Sequence, residues 1–213
     1  MNAPAAKRVE LVNVGDYFAR LGALGALTEA TDSDGQPIEL NAAIAGVVSI
    51  AAAVKLRQGR VLFVGNGGSA AIASHMATDW LKNGGFSALC FNDAAQLTCL
   101  ANDLGVERIF SVPVEAHGRK GDLLIAVSSS GNSANILAAV SAARQAKVSV
   151  VTLSGFEPDN ALRKLGDVNF WLPDNHYGFV EVGHLMLCHA VLDIAMGWER
   201  VGNRPVVMAG AYR

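Results

Sequence analysis

Cysteine, charge and aromatic side chains are all scarce in this chain. Three cysteines stand among 213 residues, Cys90, Cys99 and Cys188, far apart and set in apolar runs. An odd, scattered set with no CxxC pair supports neither a disulfide framework nor a structural zinc cluster, and it suits a reducing compartment. The apolar settings lead us to expect buried free thiols. Charged residues make up only 17% and the net charge is −2, so no global basic field recruits nucleic acid. The N-terminus MNAPAAKRVELVNV lacks the uninterrupted apolar core of a signal peptide. The longest apolar runs, such as 44–54, are too short and too rich in alanine and glycine to cross a bilayer. We therefore expect a cytoplasmic protein with no membrane partner and no direct nucleic-acid partner.

What is present is an apolar chain, 51% hydrophobic, of a length that suits one domain. That apolar excess hints at buried subunit interfaces. Residues 1–10 read as a loose tail. Residues 13–30 carry an apolar stripe at Val14, Phe18, Leu21 and Leu24, which predicts a helix. The cluster Thr31-Asp32-Ser33-Asp34-Gly35-Gln36-Pro37 predicts a turn. An alanine-rich helix is expected over 38–58. Strands are then expected over 60–64, 86–91, 122–127, 148–153 and 168–172. Helices are expected between them, over 93–103, 107–117, 134–146 and briefly 159–166, with a long one over 179–199. Short, continuously apolar strands alternating with helices indicate a parallel sheet covered on both faces. The expectation is an α/β fold: a three-layer, doubly wound, five-stranded parallel sheet with N-terminal helices. We divide it into an N-terminal tail and oligomerisation helix (1–37), one domain (38–200) and a C-terminal tail (201–213).

Two segments follow strands and open helices: Gly65-Asn66-Gly67-Gly68-Ser69 and Ser128-Ser129-Ser130-Gly131-Asn132-Ser133. Ligands of open parallel sheets bind beyond the carboxyl ends of the strands. Glycine lets the backbone approach a ligand, helix-start N–H groups point at an anion, and serine hydroxyls add donors. The bland alternative is that Ser69 and Ser130 to Ser133 are simple N-caps. One cap residue serves one helix, however, and three consecutive serines exceed that need. Two such loops in one domain point to a phosphorylated ligand. The first loop also fits the dinucleotide fingerprint G-x-G-x-x-A through Gly65, Gly67 and Ala70. The acidic residue that motif requires is badly placed: Cys90 and Phe91 stand near its position and Asp93 comes late. A nicotinamide cofactor would also leave the second serine loop unexplained, so no nucleotide cofactor is expected.

GNGGSAAIASH, LTCLANDLG and SSSGNSANILAA resemble the sugar isomerase (SIS) family over about residues 40–197, and more narrowly the phosphoheptose (sedoheptulose 7-phosphate) isomerases. The resemblance implies conversion of sedoheptulose 7-phosphate to glycero-manno-heptose 7-phosphate, a precursor of the heptoses of bacterial lipopolysaccharide. It also implies a homotetramer with active sites between subunits, and in some members zinc. Carried over by position, the substrate-binding residues are Asn66, Gly67, Ser69, Asn102, Asp103, Ser128, Ser129, Ser130 and Ser133. The catalytic pair is Asp79 and His189, and the zinc set is His75, Asp79, Glu181 and His189.

Isomerisation needs a base beside the carbonyl and an acid or electrophile to stabilise the enediolate, roles that a carboxylate and an imidazole can share. His75 and Asp79 are four residues apart and share a helix face. Glu181 and His189 are eight apart, a rise of about 12 Å, so one ion reaches both from one chain only awkwardly. A late helix start, a bend or donation from different subunits would resolve this, and His184 is an alternative ligand. The family has glutamate where Asp79 stands and glutamine where Glu181 stands. Its arginine near position 83 is replaced by Asn83, and an aspartate is often found where this chain has Gly178. The alternatives to an isomerase are a non-catalytic SIS protein that binds a protein partner, as one relative binds the bacterial replication initiator, and a sugar-phosphate sensor.

Overall fold

The computed structural model describes residues 13–197, 199–201 and 204–206. The tail read over 1–10 lies outside the described residues, as do 202–203 and 207–213 of the C-terminal tail. Helix α1 (Val14–Leu27) comes first, followed by strands β1 (Glu29–Asp32) and β2 (Pro37–Ile38) and helix α2 (Leu40–Leu56). The α/β alternation then runs β3 (Arg60–Gly65), α3 (Gly68–Lys82), β4 (Ser87–Cys90), α4 (Ala94–Leu104), α5 (Ser111–His117), β5 (Leu123–Ser128), α6 (Ala134–Gln145), β6 (Ser149–Ser154), β7 (Val168–Trp171) and α7 (Tyr177–Ala195). A separate antiparallel ribbon pairs β8 (Glu199–Val201) with β9 (Arg204–Val206).

The expected parallel strands lie in the order β7-β6-β5-β3-β4. Among the described residues the sheet has seven strands rather than five, because β1 adds antiparallel to β7, Glu29 opposite Trp171, and β2 adds to β1. The turn cluster at 31–37 is thus the tip of a hairpin. Asp32 Oδ1 accepts from the Asp34 and Gln36 amides at 2.9 and 2.8 Å, which folds the chain back on itself. Strands of four and two residues carry no periodic signal, so only the turn was legible.

Strand residues alternate between two cores. Val61, Phe63, Leu123 and Ile125 pack with side chains of α2, α3 and α7. Leu62, Val64, Leu124 and Ala126 pack with those of α5 and α6, and α4 adds Leu97 and Leu100. Both faces are covered, which is why the strands read as unbroken apolar runs. Helix α7 is long and apolar enough to span a membrane by length and composition alone, contrary to the expectation that no run reaches that length. It lies in the core, with Val180, Leu187, Cys188, Val191 and Leu192 buried. The cysteines also differ from expectation. All are free, but only Cys188 is buried, and Cys99 faces outward on α4 with its Sγ 3.5 Å from Asp103 Oδ2.

The segment before α7 ties α1 to the domain. Arg20 donates to the Asp174 carboxylate at 2.8 and 2.6 Å and lies over the Phe179 ring, on which Tyr17 also packs. Burial alone would raise the Asp174 carboxyl. Hydrogen bonds from the His176 amide and Arg20 outweigh it and hold the group below the ordinary carboxylate value.

Candidate active site

Serine capping fails as an account of the two loops. The N-cap of α3 is Gly67, with no side-chain cap, and Ser69 is the second residue of the helix, buried at 4% exposure. Ser133 stands at the N-cap of α6, yet its hydroxyl caps nothing and lies 3.3 Å from Ser128 Oγ. Ser130 Oγ accepts from the Asn132 amide at 3.3 Å. Ser129 Oγ is buried with no partner among the described residues. A buried hydroxyl without a partner costs free energy unless something else satisfies it.

The loops are locked together. The amides of Asn66 and Asn135 exchange hydrogen bonds at 2.9 Å each, joining the end of β3 to the first turn of α6. Gly131 has φ +64°, and a Cβ there would overlap the Asn160 side chain, which is anchored on Ser154 Oγ and on the carbonyls of Gly155 and Glu157. Both loops line one cavity of about 220 Å³. It brings together Asn66, Gly67, Ser69, Ser128, Ser129, Ser130 and Ser133, with Gly68, Tyr177 and Glu181. Helices α3 and α6 both begin here, so their N-terminal dipoles favour an anion. No lysine, arginine or histidine is among the described residues lining it.

A second cluster lies further along α3. His75 Nε2 stands 3.3 Å from Asp79 Oδ2, and the His75 and His189 rings are 5.3 Å apart. Ligand atoms of His75, Asp79 and His189 all lie within 4.8 Å of one another. Two imidazoles and one carboxylate from a single chain match a zinc site with three protein ligands and an open position. Glu181 is not in this group. It sits two helical turns before His189, and its carboxylate lies against Gly68 in the serine-lined cavity, where a Cβ would collide with it.

His184, the alternative ligand, is fully buried with Nε2 3.1 Å from the Ser154 carbonyl oxygen. Desolvation lowers its pKa to about 4, so it stays neutral, and its Nδ1 has no partner among the described residues. It lies against the end of β6, outside the His75–Asp79–His189 group. Asn102 and Asp103 are exposed on α4, joined at 2.7 Å, and do not line the cavity of their own chain.

The SIS domain family profile matches residues 36–155. The phosphoheptose isomerase of Proteus mirabilis (strain HI4320) is 34% identical over 183 residues, spanning 80% of this chain and 93% of that protein. The chain belongs to the SIS-domain family, among the phosphoheptose isomerases. The structure of phosphoheptose isomerase from Neisseria gonorrhoeae matches at 30% identity with a TM-score of 0.73, over 85% of this chain and 97% of that one. That of a Francisella tularensis phosphoheptose isomerase matches at 27% identity and a TM-score of 0.74, over 85% and 95%.

Sequence reasoning missed Asn135, Tyr177 and the placement of Glu181. Asn135 had a signal, since an amide in the first turn of a helix opened by a serine loop faces the neighbouring strand end. Tyr177 had none: it reaches the cavity only because α7 begins there.

Proposed function

We propose that this protein is a sugar-phosphate aldose–ketose isomerase whose substrate is sedoheptulose 7-phosphate or a close relative. It would act in the cytoplasm on the route to lipopolysaccharide heptose. The observation that carries this reading is the convergence of both serine-bearing loops on one cavity, in a chain that also gathers a carboxylate and two imidazoles. In this reading the cavity holds the phosphate through neutral donors and two helix N-termini. The Asp79 carboxylate removes the proton from the carbon beside the carbonyl and returns it to the neighbouring carbon. His189 gives a proton to the ketose carbonyl oxygen and takes one from the neighbouring hydroxyl, whose oxygen becomes the aldehyde oxygen. His75, Asp79 and His189 would hold zinc, which when bound polarises the carbonyl and stabilises enediolate charge.

The phosphate cradle and this cluster are spaced along α3. His75 is seven residues and Asp79 eleven residues beyond Gly68, rises of about 10 and 16 Å. The phosphate of a 7-phosphate ketose is at the far end of the molecule from its carbonyl, which suits a divided site. We further propose a homotetramer in which neighbouring copies complete each site. Residues 1–37 would assist assembly, 38–200 form the SIS domain and 201–213 a tail. An apolar groove of about 400 Å³, lined by Val182, Met186 and Ile194, runs beside His189, and Phe18 and Leu27 of α1 are exposed. Such apolar surface is what subunit contacts cover.

The test is incubation of the purified protein with sedoheptulose 7-phosphate, with added zinc and with chelator, following the aldose by NMR. Turnover is expected. No aldose in either arm would reject this substrate.

A further inference from the structure

Among the described residues, the cavity that reads as an anion cradle is lined by a carboxylate and by no cation. Glu181 is half-buried, its carboxylate lies against Gly68 at the first turn of α3, and it has no hydrogen-bond or ion-pair partner among the described residues. The other lining groups that face it are the Asn66 amide, serine hydroxyls, glycine backbone and the Tyr177 phenol. Nothing in that set neutralises the charge. A tetrahedral dianion entering a space of about 220 Å³ therefore comes within a few ångströms of a like charge. The Asp174 carboxylate, three residues before Tyr177, is outside the lining and is paired with Arg20 and His176.

We infer that Glu181 is a selectivity determinant that makes the cradle reject bare anions and accept phosphate esters carrying hydroxyls beside the phosphate. This rests on the cavity being the phosphate site. A bare dianion meets the repulsion in full. A polyol phosphate brings hydroxyl donors on the adjoining carbons, and a hydroxyl donating to a carboxylate forms a charge-assisted hydrogen bond that offsets the repulsion. The carboxylate, with no partner among the described residues, has its acceptor capacity open for such a hydroxyl. Donor-free dianions such as sulfate would otherwise compete for the site.

Sulfate is the cleanest probe, because at pH 8 it is a tetrahedral dianion with no proton to donate. Sulfate and sedoheptulose 7-phosphate are titrated calorimetrically at constant ionic strength into wild type, Glu181→Gln and Glu181→Ala. Both variants should bind sulfate roughly tenfold or more tighter than wild type. Glu181→Ala should bind the sugar phosphate no tighter than wild type, so selectivity over sulfate falls by at least the same factor. Two variants of different volume separate charge from space, and either one that keeps the wild-type melting temperature suffices. If wild type saturates with sugar phosphate while sulfate affinity is unchanged in the variants, the inference falls and the phosphate cavity stands. If wild type binds neither ligand, both fall.

Discussion

The serine cradle and the His75–Asp79–His189 cluster share helix α3 and are built in opposite ways. The cradle sits where α3 and α6 begin, among neutral donors fixed by short contacts such as the Asn66–Asn135 pair. It is shaped by backbone conformation, and little in it can move without unlocking a loop. The cluster sits two to three turns along α3, opposite the exposed side of α7, on side chains that are exposed or half-buried. It has charge and proton-transfer capacity but little shape of its own. In the proposed function, binding and chemistry are thus divided: one region would hold an anion with no cation among its described lining residues, and the other carries reactive groups beside an apolar surface. The separation is set by helical rise, so a ligand that uses both regions must be long or must be shared between subunits.

If that division holds, damage to one region should leave the other's readout intact. The largest effect is expected from His189→Ala, which should lower kcat on sedoheptulose 7-phosphate by about 10² to 10⁴ while leaving KM within a few-fold. A variant that instead raised KM and spared kcat would place His189 in recognition and break the comparison. The next effect concerns the element that backs the cradle. His184 is buried neutral, with its folded pKa lowered to about 4 from 6.5. The folded state then binds fewer protons than the unfolded one between those values, so stability is full above pH 6.5 and declines as pH falls towards 4. The loss is on the order of 3 kcal/mol. Asp174, whose folded pKa lies below the ordinary 3.8, adds its own loss only at lower pH. Urea unfolding at pH 7, 5.5 and 4.5 should show the decline, and His184→Gln should flatten it. A wild-type profile already flat across that window would mean that the imidazole is not held neutral.

The same division explains what could be read from the sequence. The parallel strands announced themselves because each is buried on both faces, so Val61 to Val64 and Leu123 to Val127 are apolar without interruption. The loops were legible because glycine and serine at a strand end have few other uses. The β1–β2 hairpin was not, since its strands are too short to show a period and pair only through tertiary contact with β7. Among site residues, His75 and Asp79 could be placed together from spacing alone, as neighbours on one helix face. Glu181 could not be assigned to cavity or metal, because its position depends on where α7 crosses the start of α3. That crossing is a packing outcome, in which Ile72 and Met76 of α3 share a core with Leu187 and Val191 of α7 and the Glu181 carboxylate lies where Gly68 has no side chain.

The smallest expected effect separates a structural serine from a ligand-binding one. Ser129 Oγ is buried and satisfied by nothing in the described chain. Its backbone already contributes, since Ser129 O accepts from the Gly155 amide at 3.0 Å, and that bond survives substitution. Ser129→Ala therefore removes only the orphaned hydroxyl. In the free protein the change should be neutral or stabilising by about 1 kcal/mol, because a buried polar group without a partner is a net cost. With sugar phosphate present the sign should reverse. A lost hydrogen bond to a charged oxygen is worth roughly 1.5–3 kcal/mol, or about tenfold or more in affinity. Ser130→Ala makes the contrast, since Ser130 Oγ accepts from the Asn132 amide and its loss should cost both stability and affinity. Melting curves with and without ligand read the two quantities on one sample. If Ser129→Ala melts lower than wild type when free, and binds ligand as tightly, then the hydroxyl serves packing, and the unpaired oxygen in the cradle is no evidence for an absent guest.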